Sequence, residues 1–168
     1  MEENSKQIQQ VILGCLPKLR RFAYSLTGSP TDADDLLQAT VERALTRSQQ
    51  LEDKTEPIRW LIVICRNIWI DEVRRRKARP EYAVEEANAL VGESGETIEA
   101  RLEMTHVSTL IAQLDEDQRS VLMLVAVEGY SYKEAAEVLG WPIGTVMSRI
   151  ARARGRLADE LEKAGGSA

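Results

Sequence analysis

Residues 129–149, GYSYKEAAEVLGWPIGTVMSR, contain the clearest helix start and stop signals in the chain. Ser131 and Glu134 have the spacing of a capping box, which opens a helix by satisfying its first backbone N–H groups. Gly140 is the residue type that most often ends a helix, and Pro142 follows it in a short turn. A second helix comes directly after. Two helices joined by a short glycine-containing turn form the helix-turn-helix pattern.

The second helix of this pair has two chemically different faces. Apolar residues recur at steps of three and four, as on a buried helix face, at Val146, Ile150, Ala153, Leu157 and Leu161. The other face carries the candidate DNA-binding residues Gly144, Thr145, Ser148, Arg149, Arg152 and Arg156. Arginine forks onto guanine edges or phosphates, Thr and Ser bond either, and a glycine lets the backbone approach a phosphate. The alternative is that this face is simply the solvated side of an amphipathic helix. The capped helix and the short turn directly before it favour DNA binding over that alternative.

The rest of the chain also has helical spacing. Pro17 lies inside an apolar run over residues 8–26, and we expect it to end a short first helix and begin the next. Gly28 is placed to end a helix, and Ser29 to cap the next one, which extends to about residue 48. Asp115 with Gln118 has the spacing of another cap and predicts a further helix start. Pro57 begins a helix that Pro80 stops. The chain is therefore predicted to be all-α.

An acidic stretch separates two helical regions. Residues 80–97 contain glycine and carry no clear helical period, which predicts a flexible linker. The 168 residues suffice for two small domains of about 70 to 80 residues each. We predict a first domain over residues 1–79 and a second over residues 98–168.

The charge is unevenly distributed. The chain has 22 basic and 27 acidic residues, a formal net charge of −5. Residues 57–79 carry 7 basic and 2 acidic groups, whereas residues 80–114 carry 1 and 7. Proteins that bind DNA by themselves are usually basic overall. We therefore expect a larger partner to supply much of the electrostatic attraction if this chain contacts DNA.

Several classes of protein are disfavoured by the composition. Apolar runs such as residues 60–65 are far shorter than the roughly 20 residues of a membrane span, and the polar N-terminus is unlike a signal peptide. His106 is the only histidine, and Cys15 and Cys65 lack metal-ligand spacing. We predict buried free thiols in a cytoplasmic protein, with no metal, no cofactor and no enzymatic activity.

The helix-turn-helix region has a family resemblance. Residues 117–157, and above all 129–136 and 140–149, resemble the promoter −35-binding domain of extracytoplasmic-function (ECF) sigma factors. The resemblance implies that the six candidate residues of the last helix read the −35 duplex in its major groove. It also implies that this domain contacts the β flap of core RNA polymerase.

The N-terminal half resembles the same family independently. The stretch DADDLLQAT at residues 32–40 resembles the polymerase-contacting helix, which implies docking on the β′ clamp helices through Asp32, Asp34, Asp35 and Gln38. An acidic first turn favoured by the helix dipole is the alternative explanation. The family often has aromatics where this chain has Val41 and Leu45, so we expect a weaker or differently shaped docking surface.

Residues 57–77 resemble the family's −10 helix. The resemblance implies that the −10 region of the promoter is held by Arg66, Asn67, Arg74, Arg75, Arg76 and Lys77. The helix dipole would account for only one or two of the basic residues at 74–79. Trp69 is either a core residue or an aromatic that faces nucleic acid. The loop at residues 49–56 corresponds by position to the family's base-capturing loop, without showing which residues would hold the base.

These resemblances predict an alternative sigma factor with core RNA polymerase, promoter DNA and an anti-sigma factor as partners. Details such as Leu16–Pro17 and residues 129–132 are most similar to the general-stress-response branch. One rival is a sigma-like decoy that sequesters an anti-sigma factor, but a decoy has no need of Arg149, Arg152 or the cluster at 74–79. Another is a regulator that uses only the helix-turn-helix, which leaves residues 30–79 unexplained.

Overall fold

The computed structural model describes residues 2–51, 56–79 and 106–166, and none of these residues is in a β-strand. The helices are α1 (Glu2–Thr27), α2 (Pro30–Thr46), α3 (Pro57–Lys77), α4 (described over residues 106–112), α5 (Glu116–Leu122), α6 (Tyr132–Leu139) and α7 (Ile143–Gly165). A short 3-10 turn, Ser48–Gln50, follows α2, and a π-helical turn, Met123–Val127, follows α5. The predicted all-α class is confirmed.

The chain divides into two units, Met1–Glu85 and Glu86–Ala168. We call them the first and the second unit. The acidic linker predicted at 80–97 lies outside the described residues, and so does the predicted start of the second domain at 98. The exact domain boundaries therefore stay a prediction.

The first unit is a three-helix arrangement in which each of α1, α2 and α3 contacts the other two. Its fully buried side chains recur at steps of three and four, so that each helix turns one apolar face inward. They include Leu19, Phe22, Leu26, Ala44, Leu61 and Cys65, together with Thr40. Thr40 satisfies its hydroxyl by donating to the Leu36 carbonyl at 2.7 Å. The buried threonine therefore costs little, because its polar atom has a partner.

The expected break at Pro17 is wrong, because α1 runs through it as a single helix. Proline removes one backbone donor and crowds the carbonyl four residues back, at a cost of about 3 kcal/mol. Pro17 and Leu13, whose carbonyl loses its partner, are both exposed, so water can replace the missing donor. The apolar face also keeps its phase across the proline, and Ile12 and Leu19 are both buried. Packing of that face on α2 and α3 offsets the local cost.

The turn between α1 and α2 follows the sequence prediction. Gly28 adopts a left-handed φ of 68°, which suits the residue that ends a helix. The Ser29 hydroxyl then accepts a hydrogen bond from the Asp32 backbone N–H at 3.3 Å. Pro30 occupies the first turn of α2, where its missing N–H has no helical partner to lose. The predicted cap is confirmed.

The caps predicted in the second unit are also confirmed. The Asp115 carboxylate accepts from the Gln118 backbone N–H at 2.8 Å and opens α5. Ser131 and Glu134 form a complete capping box at the start of α6. Gly140 ends α6 at a φ of 67°, a conformation that non-glycine residues rarely adopt. On α7, Val146, Ile150 and Ala153 are buried as expected, while Leu161 near the end of the helix is exposed.

Arg119 has a structural role that the sequence pattern does not predict. Its side chain is buried in the second unit, with the residue only 8% exposed. The guanidinium donates to the carbonyls of Ile111, Ala112 and Leu114 at the end of α4. It also pairs with Glu116 at 3.5 Å. One buried arginine thus satisfies the last carbonyls of α4 and joins them to α5.

The two cysteines are free and differ in environment. Cys65 is fully buried, and burial raises the pKa of its thiol to about 12, partly offset by a hydrogen bond with Thr40. Cys15 is only half-buried, and burial raises its pKa against the opposing effect of Lys18. The predicted burial thus holds fully for Cys65 and partly for Cys15.

This difference predicts selective alkylation. At pH 8, a thiol of pKa about 12 is ionised in roughly one molecule in 10⁴, and burial also blocks access. Iodoacetamide should therefore label Cys15 on the native protein and leave Cys65 unlabelled until urea unfolds the chain. Peptide mass spectrometry over time measures both rates, with Cys15→Ser as the control. Equal native rates at the two positions would contradict the buried environment of Cys65.

No helix in the described parts of the chain is long and apolar enough to cross a membrane. The same parts contain no group of three or more His, Cys, Asp or Glu residues arranged to hold a metal ion.

Candidate nucleic-acid and polymerase interfaces

The outward face of α7 includes small and polar residues, with Met147 exposed beside them. Gly144, Ser148 and Arg152 are exposed, and Thr145 is half-buried beside them. The Ser148 hydroxyl donates to the Thr145 carbonyl at 3.1 Å, within the helix. Arg152 makes no hydrogen bond or ion pair with any residue that the structure describes. This face therefore offers one uncommitted guanidinium on a helix surface that a DNA groove could approach closely.

The other two arginines of the predicted set are engaged within the second unit. Arg149 forms an ion pair with Asp117 at the start of α5, and its guanidinium lies 4.4 Å from the centre of the Trp141 ring. Arg156 donates to the Gln118 side chain at 3.2 Å and to the Gln113 carbonyl at 3.4 Å. The six predicted residues thus share one helix, but they divide between an outward face and a flank that packs on α5.

The acidic residues predicted to bind polymerase are brought together at the start of α2. Asp34 pairs with Arg20 of α1 at 3.0 Å, and Asp32 lies 3.5 Å from Arg76 of α3. Gln38 donates to Glu42 at 3.0 Å. Asp35 is exposed, and no described side chain pairs with it. Asp35 is therefore the carboxylate of the set that is available to a partner without breaking an ion pair.

The basic cluster at the end of α3 is partly engaged in ion pairs, with Asp32 of α2 and with Glu72 of α3 itself. Arg76 contacts Glu72 at 3.0 Å and lies 5.5 Å from the centre of the Trp69 ring, and Arg75 contacts Glu72 at 3.1 Å. Arg74 and Lys77 are exposed and have no ion-pair partner among the described residues. The last turn of α3 thus presents two uncommitted cations.

The remaining residues of the predicted −10 set lie earlier on α3. Arg66 is half-buried and Asn67 is exposed. Trp69 is only 6% exposed, so the structure places it in the core rather than on a surface that faces nucleic acid. Within the predicted base-capturing loop, residues 52–55 lie outside the described residues. Leu51 beside them is buried.

A groove of about 290 Å³ lies between α2 and α3. Asp32, Asp35 and Leu36 line it from α2, and Trp69 and Arg75 line it from α3. Residues predicted to contact polymerase and residues predicted to contact DNA therefore border one groove. Sequence patterns do not indicate this groove, because it depends on how α2 packs against α3.

The contact partners of Arg119 and Arg149 are not evident from the sequence. Asp117, Arg119 and Trp141 lie within residues 117–157, which carry the family resemblance, but the sequence does not show what they contact. The signal for Arg119 was its position on the inward face of α5, beside the buried Gln118 and Leu122. No comparable signal existed for the pair of Asp117 with Arg149, which are 32 positions apart and meet only in the folded unit.

Comparison with known proteins assigns the chain to a family. Residues 106–157 match the family described as Sigma-70, region 4, and residues 12–64 match the Sigma2 domain of PhyR. The ECF RNA polymerase sigma factor EcfG of Rhodopseudomonas palustris (strain TIE-1) is 38% identical over 148 residues, which cover 88% of this chain and 81% of EcfG. The chain belongs to the ECF family of RNA polymerase sigma factors. ECF sigma factors bind RNA polymerase and direct transcription initiation, and this is the function of the chain as a member.

Two further relatives of this ECF sigma factor support the same assignment. The ECF RNA polymerase sigma factor SigC of Mycobacterium tuberculosis (strain CDC 1551 / Oshkosh) is 34% identical over 167 residues, covering 95% of this chain and 85% of SigC. The sigma factor RpoE of Bartonella quintana, solved in complex with the anti-sigma factor NepR, superimposes with a TM-score of 0.78 at 31% identity. That match covers 94% of this chain and 98% of RpoE. Sigma factors as a family are not enzymes.

Proposed function

We propose that this ECF sigma factor reads the −35 element through the outward face of α7. Gly144, Ser148 and Arg152 would enter the major groove, with Thr145 at its edge. The observation that carries this proposal is the exposed, uncommitted guanidinium of Arg152 beside two small residues on the second helix of a capped helix-turn-helix. Guanidinium groups bind guanine edges in two-point fashion, and small neighbours allow the helix to approach the bases.

The first unit would supply the polymerase and −10 contacts. Asp35, with Asp32, Asp34 and Gln38 around it, would face the clamp helices of the β′ subunit. Arg74 and Lys77 at the end of α3 would hold phosphates of the opened strand, with Arg66, Asn67, Arg75 and Arg76 on the same helix. The second unit would also contact the β flap. A net charge of −5 would limit binding of the free subunit to bulk DNA.

An anti-sigma factor is the proposed regulator. The RpoE protein of Bartonella quintana, which resembles this chain along nearly its whole length, was solved with the anti-sigma factor NepR. EcfG of Rhodopseudomonas palustris is a further close relative. We propose that this chain belongs to the general-stress-response branch and is held inactive in the cytoplasm by an inhibitor of the NepR kind.

Selection of promoter DNA tests the proposed function. The chain, reconstituted with bacterial core RNA polymerase, would be offered promoter fragments in which the −35 hexamer is randomised. We expect one hexamer to be enriched, and Arg152→Met to reduce its preference about tenfold, since a two-point contact to guanine discriminates by about 1–3 kcal/mol. The slope of log affinity against log salt should fall by up to about one if Arg152 also neutralises a phosphate.

Arg154→Met is the matched control, because Arg154 lies on the same helix and donates to the Tyr132 hydroxyl at 3.4 Å. It should leave the hexamer preference unchanged. The alternative that the chain is a sigma-like decoy also needs a test, because residues 12–64 match the Sigma2 domain of PhyR. A chain that binds an anti-sigma factor of the NepR kind yet enriches no hexamer with core polymerase would favour the decoy and overturn the proposal.

A further inference from the structure

Arg149 is held between two different elements of the second unit. Asp117, in the first turn of α5, forms an ion pair with its guanidinium. The Trp141 ring, in the turn before α7, lies under the same guanidinium at 4.4 Å. A cation that both pairs with a carboxylate and stacks on an indole is strongly fixed in direction. Its side chain is 32% exposed, so the contact is only partly open to solvent.

Arg149 and Arg156 fasten the same flank of α7. They are seven positions apart, close to two helical turns, so their side chains leave the helix in nearly the same direction. Their partners Asp117 and Gln118 are adjacent residues of α5. The flank of α7 beside its outward face is thus bound to α5 at two levels. Ser148 and Arg152 are exposed, and neither bonds to α5 within the described residues.

We propose that Arg149 is a positioning residue of the −35 reader and does not itself contact DNA. Its contacts with Asp117 and Trp141 set the angle at which α7 leaves the turn, and so the depth at which Ser148 and Arg152 enter the groove. The inference rests on the proposed reading of the −35 element by α7.

Arg149 would lose two contacts by turning to DNA. To reach a phosphate, its guanidinium would leave both the Asp117 carboxylate and the Trp141 ring. The Asp117 carboxylate would then be left without this cation near an approaching polyanion, which is electrostatically unfavourable. Arg152 has no such loss, because no described side chain holds it.

The two roles of Arg149 predict opposite effects of Asp117→Asn. If Arg149 contacts DNA, the loss of the competing carboxylate frees its guanidinium and strengthens binding to the −35 element. If Arg149 positions α7, the same change loosens the helix and weakens hexamer preference by about fivefold, the size expected for a partly exposed coupled pair. Arg149→Met should cause a similar loss, and the double variant should be no worse than either single one.

The measurement uses the full chain in holoenzyme with core polymerase and the hexamer that the unaltered chain selects from the randomised fragments. Affinities for that hexamer and for a scrambled one are taken at several salt concentrations. Arg149→Met should leave the salt slope unchanged, because no phosphate contact is lost. Asp159→Asn removes a carboxylate from the exposed part of α7 and controls for the general change in charge.

Each outcome decides a different claim. Tighter hexamer binding by Asp117→Asn, or a salt slope reduced by about one in Arg149→Met, would overturn the positioning role while leaving −35 reading intact. Additive losses in the double variant would overturn it too. If the unaltered chain selects no hexamer, the proposed function itself fails. Circular dichroism melting of each variant identifies loss through unfolding, and the exchanged pair Asp117→Arg with Arg149→Asp should recover preference only if the pair positions the helix.

Discussion

Replacing Arg119 with methionine should lower the free energy of unfolding of the second unit by about 3 kcal/mol, because it breaks a buried ion pair and uncaps a buried helix end. Methionine fills similar space with an unbranched side chain, so the change removes polar contacts more than volume. The carbonyls of Ile111, Ala112 and Leu114 would lose the donor that now serves them. Glu116 would lose a cation 3.5 Å away while remaining mostly buried.

Hydrogen exchange with peptide mass spectrometry is the appropriate measurement, since it reports the second unit separately from the first. Amides of α5 and α7 should exchange about a hundredfold faster in Arg119→Met, as a loss of about 3 kcal/mol requires, and amides of α3 should not change. Arg154→Met is the control, because its hydrogen bond is exposed and surface pairs contribute about 0 to 1 kcal/mol. Equal protection in Arg119→Met and the unaltered chain would show that the buried guanidinium does not hold α4 to α5.

The local architecture was predictable where short-range chemistry decides it. Ser29, Asp115 and Ser131 each cap the helix that the sequence assigned to them. Gly28 and Gly140 end helices in the left-handed conformation that glycine permits. These features depend on residues within four positions of one another, so spacing alone identifies them.

Features that depend on tertiary packing were not predictable in the same way. Proline is normally a helix breaker, yet α1 continues through Pro17 because the buried faces on either side pack on the same neighbours. The end of α5 changes to a π-helical turn, with the Glu128 backbone N–H bonded to the Met123 carbonyl at 3.0 Å. The pattern of apolar residues there reads as ordinary helix. At Pro17 the contacts between helices outweigh local propensity.

In the candidate site, too, short-range spacing is predictable from the sequence and contacts between helices are not. The spacing of residues on α7 correctly placed Arg149, Arg152 and Arg156 on the side of the helix away from its apolar core. Spacing does not show which of them a neighbouring helix binds, because Asp117 and Gln118 come from a separate element. The three arginines are therefore alike in the sequence, whereas the fold leaves only Arg152 of the three without a partner in the described part of the chain.

Reversing the charge at Asp35 should weaken binding to core RNA polymerase by at least about thirtyfold. Truncating or reversing one member of a buried interfacial charge pair typically costs 2–5 kcal/mol. Asp35 is exposed on α2 at the rim of the groove between α2 and α3, and it has no described ion-pair partner to lose. The substitution Asp35→Arg should therefore leave folding intact. Fluorescence anisotropy of the labelled chain titrated with core polymerase measures the affinity directly.

Asp71→Arg is the matched control for this charge reversal, because Asp71 is also exposed in the first unit but lies on α3, outside the predicted docking set. Both variants change the net charge by the same amount, so a shared long-range effect would weaken them equally. We expect only Asp35→Arg to lose affinity, mainly through faster dissociation. Asp34 serves less well for the test, because its reversal would also release Arg20, now 3.0 Å away. Equal affinities of Asp35→Arg and the unaltered chain would exclude this end of α2 as the polymerase-docking surface.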